Sequence, residues 1–404
     1  MKLLVLTQYF WPENFPINDV VAGLVERGHD VTVYTALPNY PAGRFFSRYG
    51  LFGPYRERSR GAKVHRVPIV PRGGGGTVRL ALNYLSHALS ATLFAPLLAR
   101  GRFDAILVYE PSPMTIGIPA RALRALKGAP LAFWVQDLWP ESLSATGAVK
   151  NRAALRMVDA LIKWIYRGCD RVLVQSEAFI PSVEAHGVPR SRIAYLPNSA
   201  PAFYERVTTR EEEDRELPRG FRVMYAGNIG AAQDFPTILA AAELLKAEKH
   251  IQWIVLGDGR MRGWVEDEVR GRGLGASVHL LGQKPAERMP HYFAQAGVLL
   301  ATLRREPIFA YTIPSKIQSY IACGRPVIAA LEGEGGRIIR EAGAGWVVPP
   351  EDPKALAGAV LAASRAAKPE LDAMGSRGEA WFREHFEREK VLTRLESLLL
   401  EMKK

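Results

Sequence analysis

An α/β protein of two doubly wound, parallel-sheet domains facing an interdomain cleft is the architecture this sequence predicts. Its 404 residues are too many for one ordinary core and comfortable for two. Short apolar, β-rich runs alternate with helical patterns through both halves. The rhythm breaks once, at Leu196-Pro197-Asn198-Ser199-Ala200-Pro201, passes through the acidic run Glu211-Glu212-Glu213-Asp214, and restarts at Phe221.

In the first half, Lys2 to Thr7, Val31 to Thr35, Asp104 to Tyr109, Leu131 to Val135 and Arg171 to Gln175 read as strands, most of them bounded by Gly, Pro or polar residues. Helical patterns such as Asn18 to Arg27 and Arg152 to Tyr166 fall between most of them. After the break, Arg222 to Ala226, Ile251 to Leu256, Val278 to Leu281, Val298 to Ala301 and Pro326 to Ala330 repeat the scheme. The expected division is therefore residues 1–199, residues 200–378, and one long terminal helix over 379–404 packing back toward the first domain. In open sheets of this kind ligands sit beyond the carboxyl ends of the strands, so function is sought there.

Composition narrows the setting. Apolar residues make up 48% and charged residues 23%, an ordinary globular balance without extended disorder. Cys169 and Cys323 stand far apart with no Cys/His cluster around them, which argues against a disulfide framework or structural zinc and fits a reducing cytoplasm. The apolar run Leu3 to Leu6 is too short for a signal peptide and reads as a first buried strand.

The net charge of +12 is lopsided. Residues 1–199 carry 24 Lys/Arg against 13 Asp/Glu, and nine of those cations lie between Arg44 and Arg79 with one acid, Glu57. Such a patch seeks phosphate, on lipid or on nucleic acid; a solvated basic loop is the plainer alternative. Directly after it, Leu80 to Ala99 runs twenty residues without a charge. Asn83, Ser86, His87 and Ser90 form one polar stripe on that helix and Pro96 interrupts its end. The stripe favours a helix lying in the membrane interface, or buried in its domain, over a spanning one.

The chemistry-bearing segments sit at strand ends. Tyr225-Ala226-Gly227-Asn228-Ile229-Gly230 leads to a helix beginning near Asp234, where small residues let backbone amides approach a phosphate. A tight turn with no ligand has the same signature. The next strand ends in Gly257-Asp258-Gly259-Arg260, coupling a flexible turn to a cation. Thr312-Ile313-Pro314-Ser315-Lys316 offers backbone amides, a hydroxyl placed to cap a helix running to Cys323, and a lysine; a simple N-cap with a solvated lysine is the alternative. On the first-domain side, Glu13, Glu110 and Asp137 stand beside prolines and aromatics, where carboxylates can orient or deprotonate a hydroxyl or serve as structural caps.

Absences are informative too. No Asp-x-Asp closes an apolar strand, since Glu266-Asp267-Glu268 lies in a charged helical stretch, so a metal-bridged diphosphate is not expected. The first strand turns through Tyr9-Phe10-Trp11-Pro12-Glu13-Asn14-Phe15 with no dinucleotide fingerprint, and neither a phosphate-binding Gly-Lys-Ser/Thr loop, a nucleophile elbow nor His-Glu-x-x-His occurs.

Five blocks in order resemble glycosyltransferase family 4, in particular its WbuB-like, L-fucosamine transferase-like branch. They are Gln8 to Phe15, Pro38-Asn39-Tyr40-Pro41, Val135-Gln136-Asp137-Leu138-Trp139-Pro140-Glu141-Ser142, Gly227 to Asp234 and Pro314-Ser315-Lys316-Ile317-Gln318-Ser319-Tyr320. The resemblance implies a GT-B fold of two Rossmann-like domains and metal-independent transfer with retention. It also implies a nucleotide-sugar co-substrate, UDP-linked and carrying an N-acetylamino or 6-deoxyamino sugar, and a polyprenyl-diphosphate-linked acceptor in surface polysaccharide or O-antigen assembly. No other cofactor is expected. The setting would be cytoplasmic, peripheral on the inner face of the plasma membrane, with Arg44 to Arg79 and Leu80 to Ala99 meeting an anionic membrane surface.

Carried onto this chain, the resemblance and the strand-end reading give Asp137, Lys316 and Arg260 as catalytic candidates. Gly227, Asn228, Gly230, Gln233, Asp258, Gly282, Lys284, Pro314, Ser315 and Ser319 are the donor-binding candidates. Glu13, Asn14, Glu110 and Gln136 are the acceptor-binding ones. The chain departs from the wider family in several places. Asn228 and Gln233 replace an Arg and a Lys, so Lys316 and Arg260 are expected to supply the diphosphate's cations. Tyr311 and Ser319 replace the Glu-x7-Glu pair, so the usual carboxylate grip on the donor ribose does not carry over. Gln136 replaces a histidine, and Pro16 stands where a basic residue is expected in this branch. Two other readings compete: a sugar-nucleotide 2-epimerase on the same scaffold, which needs no lipid site, and a basic nucleic-acid-binding protein, for which no recognisable motif is present and whose partner is therefore not expected.

Overall fold

The computed structural model describes residues 1–74, 76–145 and 151–403. The chain divides into two compact units, residues 1–197 with 391–404, and residues 198–390.

The first unit is built on β1 (Lys2–Leu6), β2 (Asp30–Ala36), β3 (Arg56–Ser59), β4 (Ala62–Val67), β5 (Ala105–Glu110), β6 (Leu131–Val135), β7 (Arg171–Val174) and β8 (Ile193–Tyr195). They form one sheet in the order β3-β4-β2-β1-β5-β6-β7-β8. Pairing is parallel except between β3 and β4. The central strands are buried along their whole length because helices cover both faces, which is why they read as unbroken apolar runs instead of alternating ones. Leu3, Val5, Leu107 and Trp134 anchor the core on one face.

The second unit repeats the plan with β9 (Phe221–Ala226), β10 (Ile251–Leu256), β11 (Val278–Gly282), β12 (Val298–Thr302), β13 (Val327–Ala330) and β14 (Gly345–Val348). The order β11-β10-β9-β12-β13-β14 is the doubly wound arrangement in which chain direction across the sheet reverses at β9. Register runs from Phe221 opposite Ile251 to Ala226 opposite Leu256, so β9 and β10 end level and their following turns lie side by side.

Three sequence expectations are corrected. The Arg44 to Arg79 stretch is not simply a basic loop: it contains the β3–β4 hairpin, and its cations are partly consumed. Arg66 is fully buried, donating to Glu57 Oε1 through Nη2 at 2.6 Å and to Ala36 O at 3.0 Å, while Arg48 also pairs with Glu57 and Lys63 with Asp30. The single terminal helix is two, Lys368–His385 and Arg388–Glu401. The second sends Val391, Leu392, Leu395 and Leu399, one face at helical spacing, into the core beside Leu3 and Val5. Finally, Pro96 lies inside the Thr77–Leu98 helix and does not end it. The polar stripe of that helix points inward: Asn83 and His87 are fully buried and Ser90 nearly so. No helix among the described residues is long and apolar enough to cross a membrane.

Candidate active site

Where β9 and β10 stop, their turns are laced together by the backbone. The Gly227 N–H donates to Leu256 O at 2.8 Å, the Ile229 N–H to Asp258 O at 2.8 Å, the Gly257 N–H to Gly282 O at 2.9 Å and the Met261 N–H to Ile229 O at 3.0 Å. Two glycines make this approach possible. At Gly257 (φ +145°) a Cβ would lie 1.9 Å from Gly227 O, and at Gly227 (φ +130°) it would lie 2.7 Å from Lys316 Cε. A side chain at either position would displace backbone or the lysine.

The Ser315–Ala322 helix delivers that lysine. Pro314 occupies its N-cap position and no side chain caps it, so Ser315 is the first helical residue and not the cap expected from the sequence. Ile317 and Ile321 seat the helix in the core. Tyr320 pins it to the end of β9, its hydroxyl accepting from Ala226 N–H at 3.0 Å and donating to Ala226 O at 3.2 Å. Lys316, one turn earlier on the same face, reaches across Gly227. Its Nζ lies 3.6 Å from the Tyr225 ring centroid, shielded from solvent and with no hydrogen-bond partner. Burial lowers its pKa to about 7, because an ammonium with no anion beside it is costly to keep charged.

These elements border a cavity of about 560 Å³, large enough for a nucleotide-sized ligand. Gly227, Asn228, Asp258, Ser315, Lys316, Ser319 and Lys284 line it, so seven of the sequence candidates converge. Tyr204, Leu256, Met289 and Phe293 add an apolar wall that the sequence did not single out; their spacing reads as ordinary core. Five candidates of the second unit do not line it. Gly230, Gln233, Gly282 and Pro314 support the turns around it: Gln233 Oε1 accepts from Asn228 Nδ2 at 3.2 Å, and Gly282 O takes the Gly257 amide. Arg260 is exposed and does not line the cavity, although Asp258, two residues earlier, does.

Lys284 lines the cavity with its charge already engaged. Its ammonium donates to the Glu216 carboxylate, which also accepts from the Tyr292 hydroxyl at 2.7 Å. The pair holds the Glu216 pKa below and the Lys284 pKa above their ordinary values. Asp258 keeps one oxygen on the Gly259 amide at 2.7 Å and the other 3.7 Å from Arg262. Among the described residues lining the cavity, Lys316 is the cationic side chain with no anionic partner.

In the first unit the acceptor candidates separate by burial. Glu13 is buried, with Oε1 accepting the amides of Asn39 and Tyr40 at 2.8 Å each and Oε2 that of Phe10 at 3.2 Å. Its carboxylate shapes the loops after β1 and β2, and burial outweighs the three amides to push its pKa up to about 7. Glu110, at the end of β5, is fully buried and held well above the carboxylate range, first by desolvation and then by the nearby charge of Asp137. Gln136 is buried, its N–H donating to Glu110 O at 3.0 Å and its carbonyl accepting from Gln175 Nε2 at 2.8 Å. Asn14 is exposed. Asp137 is partly exposed, accepts from the Ser142 hydroxyl, and is shifted upward, mainly by burial.

Two family models match the chain in tandem, a glycosyl transferase 4-like domain over residues 17–199 and a glycosyl transferases group 1 domain over residues 220–365. The chain is 31% identical to the probable glycosyltransferase WbjE of Pseudomonas aeruginosa over 69% of its own length and 71% of that protein's. It is 25% identical to the putative colanic acid biosynthesis glycosyl transferase WcaI of Escherichia coli, covering 82% and 84% respectively. Its fold resembles that of Anabaena HepE, crystallised with UDP, at a TM-score of 0.73 and 16% identity, covering 99% of this chain and 100% of that one. With two parallel doubly wound units of the GT-B type, both halves matched by transferase models and WbjE nearly a third identical, the chain belongs to the glycosyltransferases.

Proposed function

We propose that this glycosyltransferase moves a sugar from a UDP-linked donor, of the N-acetylamino or 6-deoxyamino class, onto a polyprenyl-diphosphate-linked saccharide in surface polysaccharide assembly, at the inner face of the plasma membrane. The observation that carries the donor half is Lys316: a shielded ammonium without an anion, held over the glycine turn of β9 in a nucleotide-sized cavity. A donor diphosphate supplies the missing charge. The relatives support the UDP-linked donor and the setting in polysaccharide assembly, since WcaI is named for colanic acid biosynthesis, AmsK for amylovoran biosynthesis, and HepE was crystallised with UDP.

In this reading the diphosphate lies against the turns after β9 and β10 and the uncapped start of the Ser315–Ala322 helix, where backbone amides favour an anion. As the anomeric C–O bond breaks, negative charge grows on the departing phosphate oxygen, and Lys316 with those amides stabilises it. The acceptor hydroxyl attacks on the same face and passes its proton to that oxygen, giving retention without an enzyme nucleophile. The sequence has no Asp-x-Asp to recruit a metal, so the charge falls to the protein. In the first unit, Asp137 is the side chain to which we assign acceptor contact.

The test is a panel of UDP- and GDP-sugars with and without a polyprenyl-diphosphate-linked sugar, in EDTA, read by nucleotide release, product mass and anomeric proton coupling. Acceptor-dependent transfer from a UDP-sugar with the anomer retained is the expected result. Inversion, a requirement for added metal, or nucleotide release that ignores the acceptor would each contradict the reading.

A further inference from the structure

The Thr77–Leu98 helix turns Asn83, His87 and Ser90 inward together with three alanines, and a row of larger apolar side chains outward. Inside, Asn83 Nδ2 donates to Val70 O at 2.6 Å and its Oδ1 accepts from Gln8 Nε2 at 2.9 Å, while Ser90 Oγ donates to Pro68 O at 2.7 Å. Outside, Val78, Leu82, Leu85, Leu89, Leu93 and Leu97 follow one another at spacings of three and four, each between 49% and 76% exposed. Scattered exposed leucines are unremarkable, but a continuous row along 22 helical residues, roughly 33 Å, marks a contact surface.

Charge identifies what covers it. Between Glu57 and Asp104 the chain has eight Lys/Arg and no acid. Exposed Arg79 stands near one end of the row, and exposed Arg100 and Arg102 follow the other. A second copy docked row against row would bring these arginines together with no carboxylate from the same stretch to offset them. An anionic lipid surface accepts both features at once, headgroups for the arginines and acyl chains for the leucines.

We propose that the outward row of the Thr77–Leu98 helix is a membrane-insertion surface, lying in the plane of an anionic bilayer with Val78 to Leu97 sunk below the headgroups. This deepens the lipid-linked-acceptor reading and rests on it, since the helix would hold the first unit where such an acceptor is presented.

The experiment is cosedimentation of the full chain with phosphatidylcholine vesicles, with and without phosphatidylglycerol, for the wild type and the Leu85→Asp/Leu89→Asp variant. Light scattering and nucleotide release with a short-chain, water-soluble acceptor accompany it. Expected are salt-sensitive binding to the phosphatidylglycerol vesicles, a loss of at least about tenfold in the variant, and unchanged soluble-acceptor activity as the sign that the variant folds. An Arg100→Glu/Arg102→Glu variant should lose the dependence on phosphatidylglycerol. No vesicle binding by the wild type, or equal binding by the leucine variant, overturns the proposal. So does a wild-type dimer that the leucine variant dissolves, which assigns the row to a second copy. If vesicle binding holds while transfer fails for every donor, the glycosyl-transfer reading falls and the surface stands.

Discussion

Single residues at the strand ends set how closely the backbone can pack, and their substitutions separate support from chemistry. Gly257→Ala places a Cβ 1.9 Å from Gly227 O at a φ that side chains rarely adopt. It should cost the second unit about 2–4 kcal/mol in urea unfolding. Glu13 works from the other unit. Its carboxyl holds a proton in the folded state up to about pH 7 but releases it near 4.5 when unfolded. The folded state therefore binds more protons in that window, and stability should fall as pH rises from about 4.5 through 7. Glu13→Gln should flatten that part of the difference curve, measured as urea midpoints from pH 4.5 to 8. Glu13→Ala, which strands three amides, should lower stability at every pH by about 2–3 kcal/mol.

The Thr77–Leu98 helix carries a second titration of opposite sign. His87 is fully buried, neither ring nitrogen has a partner among the described residues, and desolvation lowers its pKa to about 3. The unfolded chain binds the proton from about pH 6.5 downward and the folded chain does not, so stability is lost as pH falls through that range. His87→Leu should remove this acid limb while leaving stability at pH 7 equal or slightly higher, as read by thermal unfolding at pH 4, 5 and 7. Elements also mark how far the sequence could be read. Most of the strands that it announced are buried and rich in apolar residues, with β11, half-buried at a sheet edge, the exception. Four were missed: β3 is Arg56-Glu57-Arg58-Ser59, all polar, β4 alternates around Lys63 and His65, and β8 and β14 are short edge strands. Turn glycines pointed to the β9 and β10 ends, because their chemistry is local. Pairing was not readable: nothing near Lys284 in the sequence announces its ion pair with Glu216, 68 residues away. The inward turn of Asn83, His87 and Ser90 was likewise hidden, since a polar stripe gives the periodicity of a helix but not the face it buries.

The molecule as a whole is two doubly wound units joined by a chain that crosses between them and returns near residue 390. Removing residues 391–404 would strip Val391, Leu392, Leu395 and Leu399 from the first unit's core, each burial contributing about 1.5–3 kcal/mol. That unit should then unfold at lower temperature, while the transition of the second unit keeps its midpoint in calorimetry. The catalytic account rests on the second unit, where a lysine that is half-deprotonated near neutrality borders a nucleotide-sized cavity. An incoming diphosphate would favour its charged form, so binding above pH 7 should draw a proton from solution. The decisive measurement is titration calorimetry of UDP at pH 8.5, in two buffers of different ionisation enthalpy, on the wild type and Lys316→Met. The account predicts uptake of about one proton per nucleotide by the wild type, and in the variant no uptake with affinity at least about tenfold lower. Absence of UDP binding by the wild type, or equal affinity and equal proton uptake in Lys316→Met, would contradict it.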